Sequence, residues 1–214
     1  MTTSLHDAHR ATAAGLLREI GHDVVARDID DELLDEFITV LRPLRDALAA
    51  RPVRERVIPD ALAHFSLSLP SRDDPRRHLF ADSVVAGEAN PHGLAAEIWR
   101  EDDTVVSRAT LGRAFEGAPG RAHGGVVAAL LDETMGMVMG LHGALGFTAR
   151  LEVTYRQPVP VGVDVVVHAW LADRNERKCT IRATLTHRES VLVEATALFI
   201  AVDPTRFLAS LRET

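Results

Sequence analysis

Apolar side chains recur along this chain with two different periods, and the change between them divides it. Between residues 28 and 50, Ile29, Leu33, Phe37, Leu41, Leu44 and Leu48 fall at helical spacing. That spacing predicts an amphipathic helix, with Asp28 or Asp30 as its cap and acids in its first turn. Pro43 within the run predicts a kink or a split. Residues 51–92 are rich in Pro, Arg and Asp and show little period, so they read as a connecting stretch with short structured pieces. From about residue 93 the period becomes two. The predicted strands are 94–100, 104–113, 147–157, 163–173, 178–187 and 191–202, and Cys179, Ile181, Ala183 and Leu185 show the alternation well. Glu101-Asp102-Asp103 and His187-Arg188-Glu189-Ser190 are short enough to be hairpin turns.

Between the second and third of these strands lies one long apolar helix, about 124–140. Val126, Val127, Leu130, Leu131, Met135, Met137, Val138 and Met139 make it apolar nearly all round, so it must be covered on most sides. A single antiparallel sheet can do this by curling around it. Met135 and Met139 are then expected to floor a pocket whose walls adapt to several shapes. Two features break the local pattern: the His123-Gly124-Gly125 that opens the helix, and the acids Asp132 and Glu133 in its middle.

Glycines at a helix start let a ligand approach the backbone closely, and the first-turn N–H groups lack partners within the helix. Those donors, at the positive end of the dipole, form a site for an oxyanion or a polarised carbonyl. The same glycines also suit a tight turn with no ligand. Asp132 is costly in an apolar helix unless it is paired or used. It lies eight residues beyond Gly124, roughly 12 Å along the axis, too far to grip one bond within a single chain. Two copies paired about a two-fold axis with antiparallel helices would bring Asp132 of one beside Gly124 of the other. The competing reading leaves Asp132 on a partly exposed stripe, for which Glu133 and Thr134 supply little polar company. Thr148 opens the next strand and shares parity with Arg150, Glu152 and Thr154, whereas Leu151, Val153 and Tyr155 point the other way. Its hydroxyl is placed to hold a water or to orient Asp132.

Composition narrows the classes. A chain of 214 residues with 46% hydrophobic and 26% charged residues holds one well-filled core, or one domain with a substantial appendage. A net charge of −7 argues against a general nucleic-acid surface. The longest apolar stretch, 126–141, contains two acids and is shorter than the roughly 20 residues of a membrane span. With no signal pattern at the start, the expectation is a cytoplasmic protein. Cys179 is the only cysteine, so there is no internal disulfide, and it reads as a small core side chain. His64, His78, His92, His142, His168 and His187 show no metal-ligand spacing, and no metal is expected. Serine-hydrolase elbows and phosphate-binding loops are missing from the sequence.

Taken together, Phe115-Glu116-Gly117-Ala118-Pro119-Gly120, His123-Gly124-Gly125, Leu131-Asp132-Glu133-Thr134, Gly146-Phe147-Thr148-Ala149-Arg150-Leu151, Tyr155-Arg156-Gln157-Pro158-Val159-Pro160 and Glu194-Ala195-Thr196-Ala197-Leu198-Phe199 resemble the hotdog-fold acyl-CoA thioesterases. The nearest branch is the PaaI-type and mammalian THEM-type one, and the resemblance runs from about residue 90 to 204. It implies an α+β hotdog fold, a curved antiparallel sheet of about six strands around one central helix. The corresponding division is an N-terminal helical extension and connecting segment at 1–92, a hotdog domain at 93–204 and a tail at 205–214.

The resemblance also implies hydrolysis of a fatty or aryl acyl-CoA by a homodimer, often a dimer of dimers, with coenzyme A as part of the substrate and no separate cofactor. It places the carbonyl-polarising amide at Gly124, with Gly125 beside it, and the general base or nucleophile at Asp132 of the opposite subunit. Thr148 assists the acid, and His123 shapes the carbonyl-binding end. Thr154, Arg156, Arg177 and Lys178 match positions that contact CoA, whose phosphates favour cations. Some relatives carry an amide side chain several residues before the His-Gly-Gly; here that stretch offers Gly117, so the orienting role falls to Thr148. Two other readings stay open, a hotdog hydratase or dehydratase of acyl thioesters and a non-catalytic acyl-CoA-binding protein.

Overall fold

The computed structural model describes residues 5–54, 72–73 and 80–203. His64 and His78, much of the predicted connecting stretch and the predicted tail lie outside the described residues. The chain begins with two helices, α1 (Leu5–Ala26) and α2 (Asp31–Ala49). Asp30 caps α2 by accepting the Leu33 N–H at 2.8 Å, and Pro43 sits inside the helix without splitting it. Strands β1 (Glu97–Glu101) and β2 (Thr104–Thr110) follow, then a one-turn 3-10 helix at Arg113–Phe115 and a small hairpin, β3 (Glu116–Ala118) with β4 (Arg121–Ala122). Next come the long helix α3 (Gly124–Leu141) and four long strands, β5 (Gly146–Tyr155), β6 (Asp164–Asn175), β7 (Lys178–His187) and β8 (Ser190–Ala201).

Six strands form one antiparallel sheet in the order β1-β2-β6-β7-β8-β5, so β5 leaves the helix and crosses to the far edge. The alternation seen in the sequence is the burial pattern. Val165, Val167 and Ala169 of β6, Cys179, Ile181, Ala183 and Leu185 of β7, and Val193, Ala195, Ala197 and Phe199 of β8 are all buried. They face Val127, Leu130, Leu131, Met135, Val138 and Met139 of α3, and burying these side chains is the main source of stability. Cys179 is a free, buried thiol.

The expectation that α3 is covered on most sides is not met within one protomer. Its buried residues follow one stripe, whereas Ala128, Asp132, Gly136 and Gly140 are only partly covered and Gly125 is exposed. The helix has the length and hydropathy of a minimal membrane span, but seven of its residues are buried against its own sheet. Met135 and Met139 belong to that stripe, at 0% and 3% exposure, so they fill the core and do not floor an open pocket.

The strand predicted at 94–100 begins later, and its entry segment is part of the core. Val85 and Ala86, which a boundary at 92/93 leaves in the connecting stretch, are buried with Ala96, and the Ala96 N–H donates to the Val85 carbonyl at 2.9 Å. α1 was not predicted. It lies on this segment and on the 3-10 turn: Arg18 donates to the carbonyls of Glu88 and Asn90 at 2.9 and 2.6 Å, and the His22 ring meets Phe115 edge-on at 5.0 Å.

Candidate active site

The entry to α3 is fixed from both sides. The Ala122 N–H donates to the Val159 carbonyl and the His123 N–H to the Phe115 carbonyl, both at 2.8 Å. Before it, the Glu116 carboxylate accepts the Gly120 N–H and an Arg113 N–H, which together hold its carboxyl below the usual range. This tight turn sets the direction from which the chain enters the helix.

Four N–H groups at a helix start, those of the N-cap and the three residues after it, lack intrahelical partners, and here the His123, Gly125 and Val126 donors find others. His123 is the N-cap: its Nδ1 accepts the Gly125 N–H at 3.0 Å, and its carbonyl accepts the Val126 and Val127 N–H groups at 3.0 and 3.2 Å. Among the described residues the Gly124 N–H is the first-turn donor left without a partner. Gly124 lines a cleft of about 500 Å³ together with Gly117, Arg121, His123, Tyr155, Arg156 and Gln157. Apart from the resemblance, the residues themselves do not separate Gly124 from Gly125. The geometry separates them, because the His123 cap occupies the Gly125 donor, and Gly125 offers only its lack of a side chain.

The three polar residues in the middle of α3 have three different partners. Glu133 accepts the Ser83 hydroxyl at 2.9 Å, tying the entry segment to the helix. Thr134 is fully buried, pairs with the Ser107 hydroxyl at 2.6 Å and donates to the Leu130 carbonyl. Asp132 is half-buried, and its Oδ1 accepts the Thr148 hydroxyl at 2.8 Å. Glu133 and Thr134 are therefore structural, and Asp132 is the acid of this trio with one oxygen engaged by a hydroxyl on an exposed face.

Thr148 reaches Asp132 because of a β-bulge that strict alternation does not anticipate. β5 shifts register against β8 between Thr148 and Arg150: Thr148 lies opposite Phe199, Arg150 opposite Leu198 and Leu151 opposite Ala197. Ala149 is the extra residue. It turns Thr148 to the side of Leu151 and Val153, which faces the helix, and not to the side of Arg150, Glu152 and Thr154 as its parity predicted. Re-aiming a side chain in this way is a common consequence of a bulge.

The remaining candidates fall into two groups at opposite ends of the sheet. Lys178 lies in register with Ile200, itself opposite Phe147, so Arg177 and Lys178 sit at the Thr148 end, beside a second cleft lined by Asn175, Glu176 and Ile200. Thr154 lies opposite Glu194 at the Gly124 end, and Arg156 pairs with the Glu194 carboxylate at 2.8 Å, which engages part of its charge. Six residues of β5 separate Thr148 from Tyr155, about 20 Å of strand with Ala149 taken up in the bulge. A single protomer thus carries an acid–hydroxyl end and an amide end, well apart.

Residue-based reasoning assigned no role to Tyr155 or His22. Tyr155 Oη donates to the Gly124 carbonyl at 2.7 Å, and burial raises its phenol above the ordinary value. His22 Nδ1 accepts the Ala114 N–H at 3.0 Å, and burial lowers its imidazole below the ordinary value.

Residues 119–194 match the family model described as the thioesterase superfamily. Over 94 residues the chain is 35% identical to acyl-coenzyme A thioesterase THEM4 of Mus musculus, covering 43% of this chain and 40% of that protein. Over 96 residues it is 40% identical to the THEM4 thioesterase of Xenopus laevis, covering 42% and 41%. The chain therefore spans about two fifths of the length of the curated relatives it matches. A crystal structure of a thioesterase superfamily protein shares the fold, with a TM-score of 0.74 at 24% identity over 89% of this chain and 90% of that one. That likeness extends beyond the sheet and α3 into the N-terminal part. Residues 119–194 are thus similar to the thioesterase superfamily, in a chain with the hotdog fold.

Proposed function

We propose that the protein is an acyl-CoA thioesterase that works as a homodimer, each reaction centre drawing on both subunits. The observation that carries this reading is the separation along α3: the free Gly124 N–H stands at its start and the Asp132–Thr148 pair eight residues on, roughly 12 Å away. Two features favour pairing. β5 is an edge strand with mostly exposed side chains, the usual place for a second chain to add. The partly covered stripe of α3 carries the small residues Gly125, Ala128, Gly136 and Gly140 beside Asp132, and an antiparallel pairing with Asp132 opposite Gly124 puts Ala128 at the crossing, where close approach is possible. That pairing also joins Thr148, Arg177 and Lys178 of one subunit to Tyr155 and Arg156 of the other around one acyl-CoA. The THEM4 relatives named as acyl-coenzyme A thioesterases support this substrate class.

In this scheme the thioester oxygen accepts the Gly124 N–H, with the helix dipole favouring the developing oxyanion. Asp132, oriented by Thr148, takes a proton from the attacking water; the tetrahedral intermediate collapses and releases CoA, whose sulfur regains a proton. Direct attack by Asp132, giving a mixed anhydride that water then opens, uses the same groups. The substrate supplies the CoA and the scheme needs no other cofactor. The test is release of free thiol from a panel of acyl-CoAs, followed with a thiol-reactive dye, for the wild type and Asp132→Asn. The proposal expects thiol release that the variant abolishes while the dimer persists. An enoyl absorbance change without thiol indicates the hydratase reading, and tight binding without turnover indicates a binding protein. A single turnover in oxygen-18 water then separates the two mechanisms, since label in Asp132 marks the anhydride.

A further inference from the structure

Tyr155 is the last residue of β5 and the only tyrosine in the chain. Its hydroxyl donates to the Gly124 carbonyl at 2.7 Å, and both residues line the cleft described above. The two peptide groups flanking Gly124 thus have different partners. The preceding one carries the free N–H, and its His123 carbonyl accepts the Val126 and Val127 N–H groups. The following one is held twice, its carbonyl by Tyr155 and its Gly125 N–H by His123 Nδ1. Two successive glycines make this the most pliable backbone of α3, with no side chain to restrict rotation about Gly124. Anchoring the carbonyl on one side of that residue limits the direction in which the N–H on its other side can point. The contact is close: a Cβ on Gly124 would stand 3.1 Å from the Tyr155 oxygen.

We propose that Tyr155 is a positioning residue for the reaction, its hydroxyl clamping the first peptides of α3 so that the Gly124 N–H stays aimed at the substrate carbonyl. It acts through Gly124 and does not touch the reacting atoms. The inference rests on the reading above that Gly124 polarises a thioester. Catalysis of this kind needs its donors fixed before charge develops, so a donor left free to swing loses rate and not binding. The clamp also needs a protonated phenol, which a tyrosine is across the neutral range and which partial burial of Tyr155 favours further.

The experiment uses the full chain and its Tyr155→Phe variant, which removes one oxygen and keeps the ring. Steady-state hydrolysis of an acyl-CoA is expected to show kcat about tenfold lower with KM within about twofold, the effect of one hydrogen bond on orientation. The wild-type kcat is expected to fall at alkaline pH with the midpoint at which absorbance near 295 nm reports ionisation of the single tyrosine. The variant is expected to lack that limb, which loss of stability alone does not produce. Amide exchange supplies a readout independent of turnover: the Gly125 N–H is expected to exchange faster in Tyr155→Phe. Wild-type kcat and pH profile in the variant, or a change confined to KM, overturn the positioning role. Unchanged Gly125 exchange overturns the clamp itself, even if the wild type hydrolyses no acyl-CoA; that failure would count against the proposed function and not against the clamp.

Discussion

Replacing Gly124 with proline tests the amide directly, because at this position proline removes one N–H and little else. Gly124 is the first residue of α3, where the N–H makes no helical hydrogen bond and proline is well tolerated. The preceding His123 has φ −64° and ψ 132°, the extended conformation that a residue before proline prefers. No bond of the capped turn is lost, since the Gly125, Val126 and Val127 donors keep their His123 acceptors. The steric cost is also bounded. The added Cβ meets the end of the Tyr155 side chain at 3.1 Å, a contact that a small movement of the ring relieves. Gly124→Ala carries the same Cβ and keeps the N–H, so it measures the steric part alone. Loss of a preorganised oxyanion donor costs about 10²–10³ in kcat, about 2.7–4 kcal/mol, and the open cleft places this site at the lower end. The account therefore expects Gly124→Ala within about tenfold of wild type, and Gly124→Pro about 10² below Gly124→Ala at similar KM. Stopped-flow thiol release measures both, and circular dichroism confirms that the helix persists. Equal rates for the two variants would show that space matters and the donor does not.

Other predictions concern the opposite end of the helix, the N-terminal extension and the CoA contacts. Thr148→Ala removes one hydroxyl donor to a half-exposed carboxylate, worth about 1.5 kcal/mol, so kcat should fall about tenfold. Thr148→Ser should restore most of it, and equal rates for the two variants would count against an orienting hydroxyl. His22 has a sign that can be worked out. Burial keeps its folded value below the ordinary 6.5, so the folded state binds fewer protons than the unfolded one near and just below that pH. Stability should be fully present above pH 6.5 and decline as pH falls through 6.5 toward the folded value, as protonation takes Nδ1 away from the Ala114 N–H. The melting temperature should drop less on acidification in His22→Asn than in wild type. Arg177→Ala with Lys178→Ala should raise KM for an acyl-CoA more than for an acyl thioester without the nucleotide; equal changes would remove both residues from the phosphates.

Sequence legibility followed how far each signal extends along the chain. β6, β7 and β8 each repeat a buried apolar residue at every second position at least three times, and their observed bounds lie within two residues of the expected ones. α3 was legible for a similar reason, and Asp132 stood out because a carboxylate costs most where its neighbours are apolar. Local features were harder to read. The bulge at Ala149 is one unpaired residue, and it reverses the face of Thr148 although nothing in Phe147-Thr148-Ala149-Arg150 marks it. The β3–β4 hairpin is too short to show a period. α1 carries apolar residues around its circumference, and Leu5, Leu16, Leu17, Val24 and Val25 remain exposed, so no single stripe marks it as a docked helix. The distinction between Gly124 and Gly125 depends on which way the His123 ring turns, and that is a property of the folded turn.

The claim on which the account turns is that each reaction centre takes its amide from one subunit and its carboxylate from the other. Mixing Asp132→Asn with Gly124→Pro subunits, after unfolding and refolding together, measures this. Half of the random dimers are then mixed, and each mixed dimer holds one intact centre and one doubly impaired centre. The account predicts recovery to about a quarter of wild-type activity from two parents that are each nearly inactive. A mixture no more active than the sum of its parents, with mixed dimers shown to form, would contradict it.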